Sequence, residues 1–184
     1  MTRNKPAGPR TVRDFIFWAE RRFAKAGLYF GHGTDNARDE AVWLVTAALQ
    51  IPFDGLDAQA ERLLNESEQQ AVRGLVEARV GTRKPLAYLL HEAWFAGLKF
   101  YVDERVLVPR SLIGDFIHEQ FQPWIDPARV HRILDLCTGS GCIAIAAALA
   151  FPQARVDGAD ISADALAVAR TNVAQHGLGA RVQL

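Results

Sequence analysis

Apolar and polar residues alternate differently in the two halves of the chain, and this difference predicts two kinds of structure. Before residue 81, apolar residues recur every three or four positions in three segments, as on the buried face of a helix. The segments begin after Thr11, after Thr34 or Asp35, and near Ser67, and they end at Gly27, Pro52 and Gly81. Residues 11–83 are therefore predicted to form a helical bundle, preceded by a loose basic tail at residues 1–10.

A different pattern begins at Lys84, where aromatic and β-branched residues predict strands. The segments Ala93–Val102 and Val106–Val108 flank the charged residues Asp103-Glu104-Arg105, which are expected to form a turn. Residues 84–108 are thus predicted to be a β-hairpin that links the bundle to the rest of the chain. Ser111 then caps a predicted helix that ends at Pro123.

Residues 109–184 follow the order strand, helix, strand, helix. Strands are predicted at Ile133–Leu136 and Ala154–Asp160, with an Ala-rich helix between them. Ser162 caps the second helix, which carries Leu166, Ala169 and Val173 on one face and ends at Gly177. This βαβα order predicts an α/β fold.

The turn between the first strand and its helix contains the candidate binding site. Asp135 closes the strand, and the turn consists of Cys137, Thr138, Gly139, Ser140 and Gly141. The glycines lack the Cβ atoms that would keep a ligand away from the backbone, and the turn leads to the amide-rich N-terminus of a helix. Asp160 lies 19 positions after Gly141, near the roughly 20 expected for a carboxylate that binds ribose hydroxyls. A small ligand that contains adenosine is therefore expected.

Two other classes of protein remain open at this point. Gly139, Gly141 and Ala144 also satisfy the spacing of the dinucleotide fingerprint, so an NAD-dependent oxidoreductase is an alternative. However, an acid at the end of the strand, Asp135, followed by three residues and then Gly139-Ser140-Gly141, resembles the first motif of class I S-adenosylmethionine-dependent methyltransferases. The second alternative is a non-catalytic module that binds a cofactor or a partner.

The composition further limits the possible partners and the cellular location of the protein. Lys and Arg equal Asp and Glu at 21 each, so no basic excess indicates direct nucleic-acid binding. The N-terminus lacks the apolar region of a secretory signal, and the longest apolar run is about half of the roughly 20 residues in a membrane span. Cys137 and Cys142 form neither a disulfide framework nor a metal-binding pattern, so a cytoplasmic protein without a metal is expected.

Several longer motifs resemble one family, the HemK-like glutamine methyltransferases. The motifs are Gly31-His32-Gly33-Thr34-Asp35-Asn36, Glu92-Ala93-Trp94-Phe95, the run from Phe100 to Ser111, and Asp135-Leu136-Cys137-Thr138-Gly139-Ser140-Gly141-Cys142. Within the family they look like the branch that acts on large-subunit ribosomal protein number three. The branch that acts on peptide release factors typically has Pro-Glu-Thr-Glu after Pro-Arg, whereas this chain has Ser111-Leu112-Ile113-Gly114. The release-factor branch is therefore the alternative within the family.

The resemblance implies a helical substrate-recognition domain followed by the first part of a class I methyltransferase domain, which is Rossmann-like, at residues 109–184. It implies S-adenosylmethionine over Cys137–Gly141, with Asp160 on the ribose and Phe100 near the pocket. The implied acceptor is a glutamine side-chain amide of the ribosomal protein. The family holds that amide with an Asn-Pro-Pro-Tyr segment, which residues 1–184 do not contain. No catalytic residue is therefore expected in this chain, and residues 1–184 alone are expected to be inactive.

Overall fold

The computed structural model describes residues 8–184, and residues 1–7 of the predicted tail lie outside this range. The chain divides into two compact units, of which the first ends at Leu90 and the second spans His91–Leu184. None of the helices within the described range is long and apolar enough to cross a membrane.

The first unit is helical, as the apolar periodicity predicts. Its α-helices are α1 (Val12–Lys25), α2 (Ala37–Leu49), α3 (Leu56–Gln59), α4 (Glu66–Thr82) and α5 (Leu86–Leu90), with a 3-10 turn at Phe53–Gly55. The core is formed by the apolar faces of α1, α2 and α4, and its largest fully buried apolar side chains include Phe15, Phe23 and Leu44. The helices α1 and α2 thus bury the apolar stripes that the sequence indicates. The expected stripe of α4 is wrong, because α4 buries Val72, Val76 and Arg79 and leaves Ala71 exposed.

Side-chain caps determine where these helices begin. Thr11 accepts a hydrogen bond from the Asp14 amide, and the Asp14 carboxylate accepts one from the Thr11 amide, so the predicted cap of α1 is confirmed as a reciprocal capping box. The cap of α2 is Asn36 and neither of the predicted residues Thr34 and Asp35, because the Asn36 side chain accepts from the Asp39 amide. Asn65 caps α4 in the same way.

The segment after Lys84 differs from the expected strand. Pro85 is followed by the short helix α5, in which the Tyr88 amide bonds the Pro85 carbonyl at 3.1 Å. Leu86 and Ala87 are fully buried, and Leu86 packs in the core of the first unit. Burial of this short apolar run against α2 and α4 therefore decides its conformation.

The second unit contains a small antiparallel hairpin and a parallel sheet. Its elements are β1 (Ala93–Phe95), β2 (Leu98–Phe100), α6 (Ile113–His118), a 3-10 turn at Pro127–Arg129, β3 (Arg132–Leu136), α7 (Cys142–Ala150), β4 (Arg155–Ala159), α8 (Ala163–Gln175) and β5 (Val182–Gln183). The parallel strands lie in the order β3-β4-β5, and Asp135 of β3 lies opposite Gly158 of β4. The α/β order predicted from the sequence is confirmed.

The hairpin is shorter than predicted, and its turn lies elsewhere. Ala96 and Gly97 form the turn between β1 and β2, with φ angles of 49° and 75°. The predicted turn at Asp103-Glu104-Arg105 exists, since the Val106 amide bonds the Asp103 carbonyl at 3.1 Å. However, Val106–Val108 is not a strand of this sheet. The predicted pairing across residues 103–105 is therefore wrong, because the Asp103–Arg105 contacts make a local turn without strand pairing.

The helix after Ser111 is also shorter than predicted. The predicted cap is wrong by one position: Leu112 precedes the first residue of α6, and the Ser111 hydroxyl accepts from the Ile113 amide at 3.2 Å. The helix ends at His118. Gln120 and Phe121 then adopt positive φ angles of 52° and 55°. Left-handed conformations interrupt the helical hydrogen bonds, so the helix ends well before Pro123.

Candidate cofactor-binding site

The loop 137–141 connects β3 to α7 at the carboxyl end of the parallel sheet. Its backbone turns sharply, with φ angles of 60° at Cys137, 55° at Gly139 and 79° at Gly141. The Gly141 amide bonds the Thr138 carbonyl at 2.8 Å within the loop. Ligands of open parallel sheets bind at the carboxyl ends of strands, next to the N-terminus of the following helix. The loop 137–141 is therefore in the position of a ligand-binding loop.

Asp135 holds this loop from the sheet side. One carboxylate oxygen, Oδ2, accepts hydrogen bonds from the Thr138 hydroxyl at 2.6 Å and from the Ala144 amide at 3.1 Å. Burial raises the pKa of the Asp135 carboxyl, and the two hydrogen bonds oppose that change. Asp135 thus connects the end of β3 to the first turn of α7, and its side chain is largely buried.

Asp160, which directly follows β4, holds the loop from the side of that strand. Its Oδ2 atom accepts from the Gly139 amide at 2.9 Å, and its Oδ1 atom accepts from the Ser162 amide at 2.9 Å. The bonds from the Ser162 and Gly139 amides lower the pKa of the Asp160 carboxyl, so it is ionised at neutral pH. Asp160 is partly exposed, and each carboxylate oxygen can accept more than one hydrogen bond.

A third side chain, which the sequence analysis missed, fixes the centre of the loop. Asn172 of α8 is fully buried, and its Nδ2 atom donates to the Ser140 carbonyl at 2.8 Å. The same amide group also bonds both backbone groups of Tyr101. The signal in the sequence is a polar residue on the apolar face of α8, next to Ala169 and Val173.

The two glycines of the loop have different roles. A Cβ atom at Gly139 would meet nothing closer than the Cys137 carbonyl oxygen at 4.0 Å, so the space beside Gly139 is open to a ligand. At Gly141 a Cβ atom would lie 3.2 Å from the Cβ atom of Ala169. The space that a Cβ atom would occupy at Gly141 is thus filled by α8, and a contact between the Gly141 backbone and a cofactor stays a prediction.

The polar side chains within the loop mostly face the protein. Thr138 and Ser140 are buried, whereas Cys137 is exposed. A Cβ atom at Gly158 of the neighbouring strand would lie 3.2 Å from the Thr138 hydroxyl oxygen. Gly158 thus gives Thr138 the space that it needs to reach Asp135. The side chains of Thr138 and Ser140 therefore shape the loop.

Phe100, the remaining predicted site residue, belongs to the core. Its side chain is 1% exposed, and its ring lies 5.0 Å from the ring of His176 and 6.5 Å from that of Phe95. The next residue, Tyr101, is linked to the loop through Asn172. A contact between Phe100 and a cofactor stays a prediction.

The described part of the site has the features of a ligand-binding loop. Within residues 8–184 no group of three or more His, Cys, Asp or Glu side chains is arranged to hold a metal ion. The loop offers an open backbone at Gly139, a helix N-terminus and an ionised carboxylate at Asp160. This arrangement can accept a ligand that has hydroxyl groups for the carboxylate and polar groups for the backbone amides.

Both units match known protein families. Residues 119–184 match the methyltransferase small domain, and residues 14–90 match the PrmC N-terminal domain. A ribosomal protein uL3 glutamine methyltransferase of Burkholderia pseudomallei (strain K96243) is 52% identical over 180 residues, which are 97% of this chain and 59% of that protein. The enzyme of the same name from Bordetella pertussis is 49% identical over 185 residues, which are 100% of this chain and 62% of that protein.

The chain spans about three fifths of the length of these curated relatives. Among solved structures, the N-terminal domain of human METTL16 in complex with SAH has a TM-score of 0.37 and 18% identity, covering 77% of this chain and 52% of that chain. A similarity this low supports no conclusion about this chain.

Proposed function

We propose that this chain belongs to the HemK-like protein-glutamine methyltransferase family and that its protein methylates a glutamine side-chain amide on a large-subunit ribosomal protein. The methyl donor is S-adenosylmethionine. The observation that supports this proposal most strongly is the loop 137–141, with open space at Gly139 and the Asp160 carboxylate bonded to the Gly139 amide.

The residues of the loop fit the proposed cofactor. Asp160 has lone pairs left for ribose hydroxyls after accepting one amide on each oxygen. The backbone beside the ligand belongs to the loop residues Cys137, Thr138, Gly139, Ser140 and Gly141. Asp135 holds this loop through the hydrogen bonds that it accepts from the Thr138 hydroxyl and the Ala144 amide. When bound, S-adenosylmethionine supplies a methyl group on a sulfonium and is left as S-adenosylhomocysteine.

The acceptor nitrogen makes orientation the main requirement of the reaction. The lone pair of an amide nitrogen is conjugated with its carbonyl, so the nitrogen is a poor nucleophile. An enzyme must therefore hold it in line with the methyl group, and the nitrogen loses a proton when the new N–C bond forms. The described loop supplies the donor side of this geometry, and we assign no acceptor-holding residue to this chain.

The substrate assignment rests on the relatives and on one segment of the sequence. The relatives at 49–52% identity are named ribosomal protein uL3 glutamine methyltransferases. The residues after Pro109-Arg110 are Ser111-Leu112-Ile113-Gly114, which differ from the Pro-Glu-Thr-Glu typical of the release-factor branch. Residues 11–83, most of which match the PrmC N-terminal domain, are the part that we expect to recognise the protein substrate. Methylation of a ribosomal protein is consistent with a cytoplasmic enzyme.

The test uses full-length protein with radiolabelled S-adenosylmethionine and purified, unmodified ribosomal protein uL3. We expect label on one glutamine of uL3 and none on a peptide release factor. Label on the release factor alone would assign the protein to the other branch. Tight binding of NAD without binding of S-adenosylmethionine would indicate an oxidoreductase, and cofactor binding without any transfer would indicate a non-catalytic module.

Asp160 provides a variant that tests the cofactor site directly. Asp160→Ala should weaken the binding of S-adenosylhomocysteine in calorimetry by about 1–3 kcal/mol, because ribose hydroxyls and the Gly139 amide lose their acceptor. Asp157→Ala is the matched control, since Asp157 lies on β4, which ends directly before Asp160, and pairs with Arg132 at the surface. Equal affinities of the two variants would remove Asp160 from the site.

A further inference from the structure

The amide group of Asn172 joins three separate parts of the second unit. Its Oδ1 atom accepts from the Tyr101 amide at 2.7 Å. Its Nδ2 atom donates to the Tyr101 carbonyl at 3.0 Å and to the Ser140 carbonyl at 2.8 Å. With both donor hydrogens used and no exposed surface, the group is fully satisfied in the interior.

Asn172 bonds the loop 137–141 at the Ser140 carbonyl. Ser140 lies between the two glycines, where the backbone is otherwise free to change conformation. The loop is held by Asp135 at Thr138 and by Asp160 at Gly139. Without the third bond, the Ser140 carbonyl would be buried without that partner, and the bond from the Gly141 amide to the Thr138 carbonyl would be left to hold the Ser140–Gly141 peptide.

Packing alone does not require an asparagine at this position. The neighbouring residues on the buried face of α8 are Val168, Ala169 and Val173, all apolar. A buried amide is tolerated on such a face only where hydrogen bonds compensate its desolvation. The geometry therefore indicates that the role of Asn172 lies in its bonds to Ser140 and Tyr101.

We propose that Asn172 is a positioning residue for the cofactor: it sets the conformation of the loop 137–141 through the Ser140 carbonyl and anchors it to the backbone at Tyr101. This inference rests on the proposed function, since it assumes that the loop binds S-adenosylmethionine. Asn172 itself is buried and acts on the ligand only through the loop.

The anchor at Tyr101 is a rigid one. The Tyr101 hydroxyl donates to Asp103 at 2.9 Å, and Asp103 also accepts from the Arg105 guanidinium at 2.6 Å. The Tyr101 ring stacks on His91 at 5.4 Å with an interplanar angle of 13°. Asn172 therefore connects the loop 137–141 to a residue whose side chain is itself held, by Asp103 at its hydroxyl and by His91 at its ring.

The test compares Asn172→Asp and Asn172→Leu with wild type in the full-length protein. The aspartate keeps the acceptor for the Tyr101 amide but lacks the NH₂ group, and the leucine lacks both functions. The matched control is His176→Phe. His176 is the C-cap residue of the same helix and bonds the Lys99 carbonyl at 2.9 Å, whereas the bond to the Ser140 carbonyl comes from Asn172.

For both Asn172 variants we expect the dissociation constant of S-adenosylhomocysteine and the KM for S-adenosylmethionine to rise about tenfold or more. We expect kcat at saturating cofactor and the KM for the ribosomal protein to change by less than about threefold, because only binding of the cofactor depends on the loop. His176→Phe should leave all four quantities close to wild type.

Each outcome decides the inference. If the folded Asn172→Asp protein, checked by circular dichroism, binds S-adenosylhomocysteine like wild type, Asn172 does not position the loop. If the affinity of His176→Phe for S-adenosylhomocysteine falls as much as that of the Asn172 variants, Asn172 only helps to hold α8 in place, and the inference is also wrong. If wild type binds no S-adenosylhomocysteine, the proposed function fails first and this inference fails with it.

Discussion

Glu40 and Arg79 form a buried ion pair that fastens a loop of the helical unit. Arg79 Nε donates to Glu40 Oε1 at 2.7 Å, and each side chain is 2% exposed. Arg79 also donates to the Tyr29 carbonyl at 3.0 Å, and Glu40 accepts from the Thr34 hydroxyl at 3.3 Å. The pair therefore holds both ends of the segment 29–34, which contains the Gly31-His32-Gly33 turn.

Removing one partner of this pair should strongly destabilise the first unit. Glu40→Ala leaves the Arg79 guanidinium buried without its counter-charge, and we expect the free energy of unfolding to fall by about 3–5 kcal/mol. Urea unfolding followed by far-ultraviolet circular dichroism measures this change. Glu61→Ala is the control, because Glu61 pairs with Arg13 at the surface and should cost less than about 1 kcal/mol. Equal costs for both variants would contradict the structural role of the buried pair.

The two cysteines should differ sharply in reactivity. Cys137 is exposed in the loop, whereas burial raises the pKa of the Cys142 thiol to about 11. At about pH 8, iodoacetamide should modify Cys137 and leave Cys142 unmodified, since the thiolate is the nucleophile. Mass spectrometry of the tryptic peptides separates the two. S-adenosylhomocysteine should slow the modification of Cys137; an unchanged rate at saturating ligand would place the cofactor away from the loop.

The sequence predicts those features that depend on neighbours in the chain. Thr11 and Ser162 cap helices as predicted because each cap reaches only three residues ahead. The glycine loop between Asp135 and α7 is recognisable for the same reason, as the hydrogen bonds that Asp135 accepts from Thr138 and Ala144 connect neighbours within one strand, turn and helix.

The features that the sequence does not predict depend on distant contacts. Asn172 bonds residues 71 and 32 positions away, so nothing near it in the chain indicates its partners. The role of Gly141 depends on Ala169, which approaches only after α8 has packed. Residues 103–105 look like a hairpin turn because their charges pair locally, while the sheet itself turns at Gly97.

Asp103 should make the second unit sensitive to acid. The Arg105 guanidinium, and after it the Arg105 amide and the Tyr101 hydroxyl, hold the pKa of the Asp103 carboxyl well below its ordinary value of 3.8. A carboxyl whose pKa is lowered on folding stabilises the fold above that ordinary value, and the stabilisation is lost as the pH falls through the folded pKa.

Asp103→Asn should therefore be less stable than wild type at about pH 7, and the difference should shrink at about pH 3 or below. Thermal unfolding at both pH values measures the two differences. Asp157→Asn serves as control, because its bond to Arg132 is more exposed and should contribute little at either pH. A difference between Asp103→Asn and wild type that is unchanged at low pH would show that Asp103 acts through packing and not through its charge.

Alanine substitutions at Gly139 and at Gly141 should have different effects on stability and on cofactor binding. Alanine at Gly139 meets open space and costs only the strain of a positive φ, about 1–2 kcal/mol. Alanine at Gly141 adds a Cβ atom 3.2 Å from that of Ala169, so Gly141→Ala should melt at a lower temperature than Gly139→Ala. The comparison uses scanning calorimetry without ligand.

Gly139→Ala, the variant that we expect to melt at the higher temperature of the two, should lose affinity for the cofactor. The methyl group of Gly139→Ala occupies the open space where we place the cofactor, so the affinity for S-adenosylhomocysteine should fall about tenfold or more in a protein that remains folded. Gly97→Ala is the control, because Gly97 has a φ angle of 75° and open space but lies in the hairpin turn. It should have a similar strain and bind like wild type. If Gly139→Ala binds as well as Gly97→Ala, the cofactor does not lie against Gly139, and the main structural support for the proposed site is lost.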